Sequence, residues 1–136
     1  MGIEPIRVLL IEDNAGDYEI ILQMLEVSEK AKFKLTYTTR LVSGLKLLES
    51  KKFDIILLDL GLPDSVGFES FKATINKHPA IPIIIFTGLA NEEIGIQAIR
   101  YGAQDYLVKG EFNGKLLVRA IQYAIERKKF EGLFIY

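Results

Sequence analysis

The sequence predicts an α/β fold: five parallel strands forming one sheet, with helices covering both faces. Three observations predict it. Short apolar runs alternate with segments of helical period, five times along the chain. The runs "VLLI" (8–11), "IILL" (55–58) and "IIIF" (83–86) are apolar at every position, which implies burial on both faces and hence parallel strands under helices. The chain has 136 residues, enough for one domain with a real core.

The elements follow in order. Ile6–Ile11 reads as the first strand. Residues 15–28 carry Ile20, Ile21, Met24, Leu25 and Val27, a helical stripe. A short strand is expected at 33–37. A helix follows at 41–51, with Leu41, Leu45 and Leu48 on one face. The third strand is expected at 53–58. "GLPDSVG" then supplies the Gly and Pro of a loop. Residues 66–77 are helical, and Pro79 and Pro82 bracket the exit. The fourth strand is 83–86. Asn91 suits a helix cap, with Glu92 and Glu93 in a first turn that favours carboxylates. Gly102 suits the left-handed end of that helix. The last strand is 104–108, and a long helix runs from 111 to 131. Right-handed crossovers and five such units imply the flavodoxin-like strand order 2-1-3-4-5.

Composition narrows the function classes. Apolar residues make up 49% and charged residues 26%, so the chain suits a globular domain. The net charge of −1, with both signs interleaved, gives no basis for direct nucleic-acid binding. Cysteine is absent, which excludes a disulfide framework and thiolate metal sites. No apolar run approaches the roughly 20 residues of a membrane span. The first residues lack a signal-peptide pattern, and Ile6 stands where myristoylation needs Ser or Thr. A soluble cytoplasmic protein is the expectation.

In an open parallel sheet, ligands bind outside the carboxyl ends of the strands. There the sequence places Glu12 and Asp13 after strand one, Asp59 after strand three, Thr87 after strand four and Lys109 after strand five. Singly, each reads as a cap, a turn former or a solvated side chain. Together they put three carboxylates, a hydroxyl and an amine at one edge. Two carboxylates about 4 Å apart repel by about 4 kcal/mol at an effective dielectric near 20, so positive charge must offset them. With only oxygen ligands to hand, a hard divalent cation is the natural candidate. Magnesium takes one or two carboxylates and adds phosphate oxygens. Such a site suits a phosphoryl group carried by an aspartate, since phosphoryl transfer mainly needs positioning and charge stabilisation.

These residues carry a family resemblance. The acidic pair Glu12–Asp13, "LLDLGLPDSVG" around Asp59, "IIIFTG" with Thr87, and "GAQDYLVKG" with Tyr106 and Lys109 together resemble a response-regulator receiver domain of two-component signalling. The resemblance covers residues 5 to 129. It implies that Asp59 accepts a phosphoryl group from a phosphohistidine on a sensor histidine kinase or phosphotransfer protein. It implies that Asp13, Asp59 and the backbone carbonyl of Gly61 hold magnesium, with Glu12 acting mostly through water. Lys109 then pairs with Asp59 and the phosphoryl oxygens, and Thr87 turns its hydroxyl toward them. Tyr106 swings inward and reshapes the face of helix four, strand five and helix five. The chain would be an acceptor that catalyses only its own phosphorylation and dephosphorylation.

The sequence departs from the family pattern in places. Gly110 follows Lys109 where Pro is common, which puts a cis bond there in doubt. Val66 precedes Gly67 where many members have Asp, with no chemical effect expected. Gly61 and Leu89, two residues past Asp59 and Thr87, offer no polar side chain to orient a hydrolytic water. Slow autodephosphorylation is the expectation.

"GEFNGKL" (110–116) has the wrong spacing for a phosphate-binding loop, and Leu follows its Lys. No GxGxxG follows strand one, where the acidic pair would repel a pyrophosphate. His78, before Pro79, reads as a surface loop residue. An aspartyl-phosphate phosphatase wants a second Asp two residues after the nucleophile, and Gly61 stands there. A pseudo-receiver, binding a protein without phosphorylation, predicts erosion of the acidic pair, Asp59 or Lys109, and none is eroded. The division expected is a receiver over 1–129 and an extension over 130–136. "YAIERKK" resembles receivers fused to an output module, and "LFIY" leaves apolar residues for a partner, a second copy forming a homodimer, or a downstream output domain.

Overall fold

A computed structural model describes residues 4–88 and 92–133. The expected cap at Asn91, the residue Leu89 and the last three residues of the apolar tail lie outside the described residues.

Five strands form one sheet: β1 (Ile6–Ile11), β2 (Phe33–Thr38), β3 (Ile55–Leu58), β4 (Ile83–Thr87) and β5 (Asp105–Val108). All neighbours pair in parallel, in the order β2-β1-β3-β4-β5, as the sequence predicts. Five helices alternate with them: α1 (Ala15–Glu26), α2 (Leu41–Ser50), α3 (Phe68–Lys77), α4 (Glu92–Tyr101) and α5 (Gly114–Leu133). Side chains of successive strand residues point to opposite faces. Val8 and Leu10 therefore join the layer under α1 and α5, with Ile21, Leu25, Leu117 and Ile121. Leu9 and Ile11 join the opposite layer under α2, α3 and α4, with Leu41, Leu48, Phe71 and Ala98. Both layers are sealed from water, and each fully buried Leu or Ile stabilises the fold by about 1.5–3 kcal/mol.

The structure corrects several element boundaries. "GLPDSVG" is more than a loop: Gly61–Leu62 pairs antiparallel with Ser65–Val66 in a small hairpin. α3 consequently starts at Phe68, two residues later than its pattern suggests. α5 starts at Gly114, three residues late, because Asn113 caps it: its Oδ1 accepts the Leu116 N–H at 2.9 Å. Phe53 lies outside β3 yet is buried in the core. Of the α1 stripe, Ile21 and Leu25 are buried, but Ile20 and Val27 face solvent. His78 is half-buried at the C-terminal end of α3.

Two helix ends matter for the site's surroundings. Gly102 has φ 128°, and the Ala103 N–H reaches back to the Ala98 carbonyl at 2.8 Å, closing α4 with the left-handed residue that glycine tolerates. α5 runs through residue 133 without a break at 129. Its last turns are tied to the chain entering β5. Arg127 donates to the Gln104 side-chain and backbone oxygens at 3.0 Å, and the Gln104 amide donates to Glu131 at 2.9 Å. No described helix is long and apolar enough to cross a membrane.

Candidate phosphoacceptor site

The register of the sheet builds the site. Ile11 pairs with Leu58, so the residues that follow, Glu12 and Asp59, leave the sheet side by side. The Asp59 N–H donates to the Ile11 carbonyl at 3.0 Å, extending that pairing one step past the strands. Leu58 pairs with Ile85, and Thr87 with Val108, which brings the ends of β4 and β5 to the same edge. The Lys109 N–H donates to the Thr87 carbonyl at 2.9 Å. Four strands thus deliver their terminal side chains to one place.

Buried polar residues mark that place. Glu12 is 0%, Thr87 3% and Asp59 4% exposed, whereas carboxylates are seldom fully buried without a partner. Oxygens of Glu12, Asp13 and Asp59 lie within 4.8 Å of one another, with Asp13 exposed at the rim. Lys109 supplies the opposing charge. Its Nζ lies 2.5 Å from Glu12 Oε1, 2.8 Å from Asp17 Oδ2 and 3.0 Å from Asp59 Oδ2. The Gly61 N–H donates to Asp59 Oδ1 at 3.1 Å, and the Asn14 N–H to Glu12 Oε2 at 3.0 Å.

The electrostatics follow from burial and crowding. Burial pushes Glu12 up to about 8, assisted by its contact with Asp59, and outweighs the lowering by Lys109 and the Asn14 N–H. Burial also pushes Asp59 up. The hydrogen bonds from Glu12, the Gly61 N–H and Lys109 outweigh it and leave Asp59 below the usual carboxylate range. Lys109 is raised despite desolvation, because Asp17, Glu12 and Asp59 all favour its charged form. The site therefore holds an ionised acid beside an obligate cation.

The structure brings Glu12, Asp13, Asp59 and Lys109 together and sets Thr87 on the adjoining strand end. Tyr106 sits elsewhere: it is half-buried on β5, and its ring lies under α4, where a Cβ added to Gly95 would come within 3.0 Å of Tyr106 Cγ. The Lys109–Gly110 peptide is trans, as are all the described ones, and Gly110 takes φ 82°. That left-handed turn suits glycine and excludes proline, whose φ is fixed near −65°.

Sequence reasoning missed Asp17. It lies on the first turn of α1, where the Asn14 side chain caps it by accepting its N–H at 2.9 Å. The available signal was an acid three residues after an Asn that follows the first strand, the spacing of a helix-capping pair at the start of α1. Asp64 was missed too. Its carboxylate lies in the hairpin after Asp59 and accepts the Leu41 N–H at 2.8 Å and the Val42 N–H at 3.0 Å, capping α2 from a distance.

With this geometry in place, known proteins supply the class. The response regulator receiver domain model matches residues 8–122. The cell cycle response regulator CtrA of Brucella ovis is 36% identical over 124 residues, 90% of this chain and 51% of that protein. The chain thus spans about half the length of the curated relatives it matches. Among solved structures, the signal receiver domain of a LuxO repressor protein from Vibrio parahaemolyticus matches with a TM-score of 0.81 and 26% identity, over 96% of this chain and 97% of that one. A response regulator receiver domain from Clostridium thermocellum matches with a TM-score of 0.79 and 26% identity, over 92% and 98%. The chain belongs to the response regulator receiver domain family of two-component signalling.

Proposed function

We propose that this chain is a phosphoacceptor switch in which Asp59 receives a phosphoryl group from a phosphohistidine on a sensor histidine kinase or a phosphotransfer protein. The observation that carries the reading is the convergence on Asp59: an ionised, nearly buried carboxylate 3.0 Å from the Lys109 ammonium and within 4.8 Å of two further acids. An Asp59 carboxylate oxygen attacks phosphorus, the phosphorus–nitrogen bond breaks, and the imidazole nitrogen keeps the electron pair. The product is an acyl phosphate carrying about −1.5 to −2 charge.

Lys109 follows the new charge from carboxylate to phosphoryl oxygens, a charge-assisted bond stronger than a neutral one. Thr87, buried at the end of β4, turns its hydroxyl to the same group. Tyr106 then rotates inward and alters the face built by α4, β5 and α5. That change needs only a shift of a pre-existing equilibrium.

The donor set fits magnesium. It is all oxygen and strongly acidic, and it contains a buried carboxylate whose charge is otherwise opposed by burial. Asp13, Asp59 and the Gly61 carbonyl would hold the ion, with Glu12 bridging through water. When bound, it would supply positive charge for the phosphoryl oxygens.

The setting proposed is the cytoplasm. The output is a fused domain, a separate partner or a second copy of the chain, reached through the receiver (1–129) and its extension (130–136). Incubation with a small acyl phosphate and magnesium tests the reading by intact mass. The wild type should gain one phosphoryl group and Asp59→Asn none. A mutant that labels as well as the wild type overturns it.

A further inference from the structure

Lys109 has three N–H donors, and three carboxylates surround them. The partner least explained by the phosphoacceptor reading is Asp17. It stands closer to Nζ (2.8 Å) than Asp59 does (3.0 Å). It is outside the group of acids whose oxygens converge for a cation, which comprises Glu12, Asp13 and Asp59. Among the described residues, Lys109 is the one cation within ion-pair reach of it. The α1 turn that carries it is fixed by the Asn14 cap on its own N–H, so Asp17 is held in place by backbone as well as by charge.

The consequence concerns who competes for the amine. A phosphoryl group on Asp59 needs the Lys109 ammonium, and three carboxylates already share it as ion pairs. A cation among Glu12, Asp13 and Asp59 satisfies two of the acids that Lys109 now serves. Asp17 gains nothing from it and keeps its claim on the amine. Its negative charge also opposes the approach of an anionic donor.

We propose that Asp17 is a positioning residue that restrains Lys109 at the α1 side and thereby slows phosphoryl transfer to Asp59. The proposal rests on the phosphoacceptor reading above. In the step it affects, Asp59 attacks the phosphorus of a small acyl phosphate, the bond from phosphorus to the acyl oxygen breaks, and the carboxylate leaves with that electron pair.

Asp17→Asn keeps the shape, the Asn14 cap and a hydrogen-bond acceptor, and removes the charge. With acetyl phosphate and magnesium, its labelling rate at low donor concentration should rise about threefold, a factor suited to one partly exposed ion pair. Asp17→Glu keeps the charge and should label at the wild-type rate. A second readout needs neither donor nor metal: acylation of the Lys109 amine by a small reagent, located by peptide mass, should be faster in Asp17→Asn by a similar factor. Equal or slower labelling in a folded Asp17→Asn protein overturns the proposal, as does a Glu variant as fast as the Asn one. If the wild type takes no phosphoryl group, the phosphoacceptor reading falls and the brake on it falls too. The amine readout then shows whether Asp17 restrains Lys109 at all.

Discussion

Lys109 Nζ stands 3.0 Å from Asp59 Oδ2, although 50 residues of chain separate the two. That one amine answers Glu12, Asp17 and Asp59 at once. The charge is lopsided, and the free protein carries the excess as a raised Glu12.

Magnesium should therefore stabilise the fold, and more so at high pH. Glu12 titrates at about 8 in the fold against 4.5 as a free side chain. Its contribution to stability is fully present below the lower value and is lost as pH rises through the upper one. Protons and magnesium compete for the same acids, so added magnesium should raise the melting temperature more at about pH 8.5 than at about pH 6. At a concentration of about 100 Kd the gain is about 2.7 kcal/mol. Asp13→Asn should remove most of it. A magnesium effect equal at both pH values contradicts this.

Asp64 should be worth a helix cap to α2. Arg40 offers that helix no side-chain hydrogen bond, and the two N–H groups are served from the hairpin after Asp59. Asp64→Ala should cost about 1 kcal/mol by denaturant unfolding at neutral pH. The Val42 N–H, helped by that of Leu41, holds Asp64 below its ordinary 3.8. The contribution is thus present above about 3.8 and lost as pH falls through the lowered value. Amide exchange at Leu41 and Val42 should quicken in the mutant, and unchanged exchange would count against the cap.

Gly61 should set a long acyl-phosphate lifetime. A Cβ there would lie 3.9 Å from Asp59 Oδ1, in open space beside the acceptor. Gly61→Asn adds an amide beside the acceptor that can orient an attacking water. It should shorten the lifetime about tenfold, equivalent to about 1.4 kcal/mol of barrier. Leu89→Glu should act in the same direction. Wild-type loss of label within seconds, or a Gly61→Asn lifetime equal to wild type, would refute the slow-hydrolysis expectation.

Gly95 should seat the Tyr106 ring. A methyl group on Gly95 would press on Cγ at 3.0 Å and on both Cδ atoms at 3.1–3.3 Å. Gly95→Ala gains about 0.5–1 kcal/mol of helix propensity, offset by that overlap. Net stability should change by under about 1 kcal/mol, while the Tyr106 ring resonances shift toward those of the phosphorylated protein. Unmoved resonances would show that the ring has room the geometry denies it.

Sequence patterns revealed the sheet because the runs at 8–11, 55–58 and 83–86 are apolar at every position, and the sheet edge because five polar residues end four strands. Burial pattern alone therefore located Glu12, Asp59, Thr87 and Lys109. What it did not reveal depends on contacts between distant segments. Asp64 caps a helix 22 residues earlier, and no local spacing announces that. Asp17 meets Lys109 only because the start of α1 and the end of β5 share that edge. The hairpin within "GLPDSVG" is two pairs of residues, too short for any period to show. Gly110 illustrates the reverse: the missing proline was visible, and the left-handed φ of 82° explains it.

The central claim is that one carboxylate, Asp59, accepts the phosphoryl group. Borohydride reduction of the labelled protein converts an aspartyl phosphate to homoserine, which peptide mass spectrometry locates. The account predicts homoserine at residue 59, none in the absence of phosphodonor, and none when Asp59 is replaced by Asn. Homoserine at Asp13 or Asp17, or label that survives as a phosphoester on Ser or Thr, would contradict it.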